Sequence, residues 1–110
     1  MEERYKSRLP EINYQAFQNL CDARDYLKGG DLDDARVCYA KAWGYYSIQG
    51  HQGNMNLCDR MLGECGVEMS KLEDVHKIGR CIASEELGGE EGEVVLISGE
   101  ASFVGDPSRN

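Results

Sequence analysis

The sequence predicts an all-α protein of four helices, arranged as two antiparallel helix hairpins and followed by a C-terminal tail or a short β-hairpin. Three observations carry this expectation. Apolar residues recur at helical spacing over most of residues 12–86, a proline and several glycines punctuate those stretches, and one five-residue pattern returns after forty positions.

The first helix is expected over Ile12 to Lys28, where Ile12, Ala16, Leu20, Ala23 and Leu27 form one apolar stripe. Pro10 precedes it, where a missing N–H costs nothing, and Gly29-Gly30 follow, where the chain can turn left-handed. Asp31 suits the N-cap of a second helix carrying Leu32, Ala35, Tyr39, Ala42 and Tyr46, with Asp33 and Asp34 favoured by the helix dipole. So short a connection folds the two helices back antiparallel, and the small Ala23, Ala35 and Ala42 let them approach closely.

Gly50-His51-Gln52-Gly53 breaks the pattern, after which Met55, Cys58, Met61, Leu62 and Cys65 mark a third helix ending near Gly66. Ser70-Lys71-Leu72-Glu73 has the form of a capping box. It opens a fourth helix with Leu72, Val75, Ile78 or Gly79, and Ile82, closed by Gly88-Gly89. Residues 1–87 are thus expected to form one helical-hairpin domain. Residues 88–110 form an acidic tail in which Val94 to Ile97 and Ala101 to Val104 have the makings of a short hairpin.

Leu32-Asp33-Asp34-Ala35-Arg36 and Leu72-Glu73-Asp74-Val75-His76 match in character at the start of the second helix of each pair. With Ala23, Tyr26, Gly30, Asp31, Ala35, Tyr39 and Ala42, the first hairpin resembles the tetratricopeptide repeat family, in which small residues let helices pack and tyrosines fill the gaps. Asn19 and Asp22 depart from it by standing where that family usually places large apolar residues. The second hairpin matches through Leu62, Gly63, Val75 and Ile82, with Gly79 where an aromatic is expected. The resemblance is best over residues 15–47, weaker over 54–86 and absent from 88–110. Ala23 through Gly44, with its Gly-Asp turn and Ala42-Trp43-Gly44, is also similar to an archaeal family of uncharacterised short helical hairpins. Only the tetratricopeptide resemblance implies peptide or protein binding.

Composition narrows the function classes. Twenty acidic against twelve basic residues give a net charge of −8, a field that repels phosphate backbones, so no nucleic-acid partner is expected. The longest apolar run, Val94 to Ile97, is far below the ~20 residues that span a bilayer, so no membrane partner is expected either. Five cysteines behind a polar N-terminus point to reduced thiols in the cytoplasm.

Chemistry-bearing residues are plentiful but poorly spaced for catalysis. No Cys-x-x-Cys pair exists, Cys58 and Cys65 stand seven apart, and His51 and His76 lack a partner motif, so neither metal ligands nor catalytic residues are assigned and no cofactor is expected. His76 matches Arg36 in the repeat, which places it on a helix surface. The acid pairs Asp33-Asp34, Glu85-Glu86 and Glu90-Glu91 raise an all-helical metal-dependent hydrolase as an alternative. Their adjacency near helix ends suits dipole compensation and solvation better.

Eight of nine aromatics fall within residues 1–46. Packing of the first hairpin accounts for Phe17, Tyr26 and Tyr39, which leaves Tyr14, Trp43, Tyr45 and Tyr46 as candidates for a contact surface or for packing against the third helix or the tail. The leading expectation is a non-enzymatic protein-protein interaction or scaffold module. By the family resemblance, Phe17, Leu20, Arg24, Leu27 and Lys28 of the first helix face a peptide groove, with Arg24 and Lys28 pairing an acidic peptide. A self-associating protein with Trp43 and Tyr46 in a homodimer interface is the alternative, because short repeat arrays leave end faces uncovered.

Overall fold

The computed structural model describes residues 8–88. Among these the chain is all-α: α1 (Leu9–Lys28), α2 (Leu32–Gln49), α3 (Gln52–Glu64) and α4 (Leu72–Glu86), with one 3₁₀ turn, Met69–Lys71, before α4. The expected tail or hairpin over residues 89–110 lies outside the described residues.

α1 begins three residues before Ile12 because Pro10 belongs inside its first turn, and the Arg8 side chain ties that end to the Leu87 carbonyl beyond α4. The next two connections share one solution. Gly30 and Gly50 take positive φ (83° and 76°), and the residue after each donates its backbone N–H back to the ending helix: Asp31 to Tyr26 at 2.9 Å and His51 to Tyr46 at 2.9 Å. Those same residues cap the helix that follows, since Asp31 accepts from the Asp34 N–H at 3.2 Å and His51 Nδ1 accepts from the Asn54 N–H at 3.3 Å. Asp31 was legible from its type, whereas His51 was read only as part of a break. The expected capping box at Ser70 does not form. Lys71 stands at the N-cap of α4 without a side-chain bond, because Ser70 is drawn into the 3₁₀ turn.

α2 is the centre of the molecule, packing on α1, α4 and α3, while α3 and α4 share little backbone proximity. The second pair meets through side chains, with Leu72 and Val75 of α4 packed on the cluster that holds Leu62 and Cys65, and α2 joins it to the first. Ala23, Ala35 and Ala42 are fully buried, as close helix approach requires. The aromatics, however, are sorted otherwise than expected. Phe17 and Tyr26 are 59% and 40% exposed, whereas Tyr45 and Tyr46 join Ile12, Ala16, Ala42, Cys58 and Ala83 in one core cluster. A helix surrounded on three sides buries most of its circumference, so its consecutive aromatics are core residues.

α2 meets α4 by glycine. A Cβ added to Gly79 would collide with the carbonyl oxygen of Ala40 and lie 2.7 Å from its carbonyl carbon. One added to Gly44 would fall 2.6 Å from the Gly79 carbonyl carbon. Glycine stands at Gly79 because the two backbones touch there.

Candidate functional site

The other side of α2 is not closed in this way. Leu20 and Arg24 of α1, Tyr39 of α2, and Leu57 and Met61 of α3 enclose an open, mainly apolar groove of about 240 Å³. Leu57 and Met61 are four apart and share a face of α3, as Leu20 and Arg24 do on α1. Beneath them Tyr39 is fully buried with Ala23, Ala35, Leu62 and Cys65, and its hydroxyl has no hydrogen-bond partner among the described residues. Burial raises the phenol above its ordinary 10.0, opposed by the positive charge of Arg24. Tyr39 is therefore a protonated donor at neutral pH. Arg24 is exposed and makes no ion pair among the described residues.

Of the residues expected to bind a partner, Leu20 and Arg24 line this groove. Phe17 lies one turn before Leu20 with 59% of its surface exposed, Leu27 is half-buried against the Tyr39 cluster, and Lys28 is exposed at the end of α1. Tyr46 is a correction: at 7% exposure it is a core residue with almost no surface to offer. Trp43 is corrected in part, being half-buried and stacked on His76 with centroids 3.8 Å apart and rings 4° from parallel. His76 in turn is half-buried and not free on the helix surface, since its Nε2 lies 2.5 Å from Asp59 Oδ1 and so links α4 to α3.

Two other recesses differ in kind. A polar one of about 370 Å³ is lined by Glu11, Asp22, Lys41, Tyr45 and Glu86 among others, but its charges answer one another. Glu86 pairs with Lys41 at 3.1 Å and accepts from the Tyr45 hydroxyl, Glu11 pairs with Arg8 at 2.8 Å, and Asp22 accepts from Gln18 at 3.1 Å. An apolar one of about 180 Å³ runs along the outer α2/α4 surface between Val37, Ala40, Val75, Ile78 and Ile82, with Arg36 at its edge.

All five cysteines are free thiols. Cys58 and Cys65 are fully buried, and burial pushes Cys58 up to about 12, so it is protonated and inert at neutral pH. No three His, Cys, Asp or Glu side chains converge as a metal set among the described residues, and no helix there is long and apolar enough to cross a membrane. Comparison with known proteins finds no family model, no curated protein and no solved structure that matches the chain.

Proposed function

We propose that this chain is a non-enzymatic protein-interaction module that binds an acid-bearing peptide or partner segment in the groove between α1 and α3. The observation that supports this reading is an apolar groove with, on its wall, a guanidinium that makes no ion pair among the described residues. Leu20, Leu57 and Met61 offer desolvation to one aliphatic side chain, and Arg24 offers a charged, bidentate donor to a neighbouring carboxylate. Phe17 and Lys28 extend the same helix surface on either side.

The test is an immobilised library of acetylated heptapeptides, each carrying one leucine or methionine beside one aspartate or glutamate. Saturable binding is expected, and Arg24→Glu should weaken it roughly tenfold to a hundredfold, the cost of losing a charged hydrogen bond. Unchanged affinity in that variant would defeat the assignment.

A second reading, self-association, is favoured by the α2/α4 surface rather than by Trp43 and Tyr46. Val37 and Ile78 are 50% and 43% exposed beside an apolar recess, and a second copy would cover them. Sedimentation at micromolar concentration decides it, and a strict monomer rules it out.

A further inference from the structure

We propose that the apolar recess between α2 and α4 is the docking site of the chain's own segment 94–97, which follows α4 in sequence and lies outside the described residues. This inference is independent of the α1/α3 groove and names the occupant of a different surface.

The recess is open to an occupant. Val37 and Ile78 are exposed, Val75 and Ile82 are half-buried beside them, and the buried Ala40 completes the apolar lining. The segment, Val94-Val95-Leu96-Ile97, is four consecutive aliphatic residues. Left in water they forgo the stabilisation of burial, and a strand or hairpin standing alone is marginal, so lying on an apolar surface stabilises them.

Length favours this particular surface. Gly88 takes φ 85°, the left-handed conformation that redirects a chain at the end of a helix. The six steps from Gly88 to Val94 reach up to ~20 Å when extended. Ile82, at the near end of the recess, lies six helical residues before Gly88, ~9 Å back along the axis. The acidic Glu90-Glu91-Gly92-Glu93 supplies the link and keeps its carboxylates in water. From Ile82 back to Val75 is a further seven helical residues, ~10 Å. In extended form Val94 to Ile97 also covers ~10 Å, so segment and recess match in length. Alternate side chains of an extended segment point to opposite faces, so two of the four enter the recess of about 180 Å³, which is too small for a whole helix.

Tethering decides between the segment and a second copy. A short link gives an effective concentration on the order of millimolar, enough to fill a shallow recess that a free molecule at micromolar concentration would leave empty. A stable interface between copies takes roughly 20–30 residues a side. The recess offers five apolar ones.

The test uses the full chain with isoleucine, leucine and valine methyl groups labelled for NMR. Nuclear Overhauser contacts are expected between residues 94–97 and the methyls of Ile78 and Ile82. They should be missing from isotope-filtered spectra of a mixture of labelled and unlabelled protein, which report only contacts between copies. Joint substitution Val95→Asp and Leu96→Asp, which polarises both faces of the segment, should move the Ile78 and Ile82 methyl signals and leave those of Leu20 and Leu57 in place. Contacts seen only between copies overturn the inference and assign the surface to self-association. Contacts to Leu20 or Leu57 overturn it by placing the segment in the α1/α3 groove. So does the absence of any contact to Ile78 or Ile82 in the native chain, whether or not the variant folds, or a pair of signals that the substitutions leave unmoved.

Discussion

Along one side of α2, Ala40 and Gly44 meet Gly79 of α4 backbone against backbone; along the other, Tyr39 meets α1 and α3 through side chains that stop short of closing the surface. The first contact leaves no room for a methyl group. The second leaves a groove of about 240 Å³. Tight packing and an open site thus coexist on one helix, and the difference is in residue size: glycine brings helices together, whereas long side chains hold them apart.

The side facing α3 also buries two thiols, Cys58 and Cys65, which makes alkaline pH the strongest probe of the contrast. Cys58 rises from an ordinary 9.0 to about 12 because burial penalises its thiolate. A raised pKa in an acid means the folded state keeps its proton longer, so this stabilisation is complete below pH 9 and is lost as pH climbs toward 12. Full loss is on the order of 4 kcal/mol. Cys65 and Tyr39, both pushed upward mainly by burial, act in the same direction. The melting temperature should hold to about pH 9 and fall steeply above it, less steeply in Cys58→Ala; a flat profile to pH 11 would mean that α3 does not bury Cys58.

The backbone side is tested by Gly79→Ala. Helix propensity alone predicts a gain of about 1 kcal/mol from this change. Collision with the Ala40 carbonyl should reverse the sign and leave a net loss of about 3 kcal/mol, the upper range of overpacking, read as a lower urea midpoint. The control is Gly63→Ala in α3, where an added Cβ meets nothing within 4 Å. It should stabilise by about 0.5–1 kcal/mol. If both variants move the midpoint in the same direction, the two sides of α2 do not differ as described.

The groove was partly visible beforehand. The family resemblance placed Leu20 and Arg24 of the first helix at a groove, and both line this one. Leu57 escaped notice because it lies off the apolar stripe of the third helix, and Tyr39 was read as core alone. Its burial is correct, but an unanswered hydroxyl is a fact about neighbours that no spacing records. His76 shows the same limit. Its match to Arg36 in the repeat suggested a surface position, yet Trp43 and Asp59 arrive from two other helices and partly cover it.

Local chemistry was enough for the helices and most of their ends: the stripes of α1 to α4, the Asp31 cap and the left-handed Gly30 all depend on residues within a turn or two of one another. The order of packing was different. That α2 should stand between three helices, that Gly79 should lie against Ala40, and that Tyr46 should be sealed while Phe17 is exposed depend on contacts up to forty positions apart. Glycine in mid-helix was the available signal, since it costs about 1 kcal/mol unless something presses against it. What presses there is chosen by the whole fold, because burial is shared among all the helices that surround a residue and is not a property of its own stretch of chain.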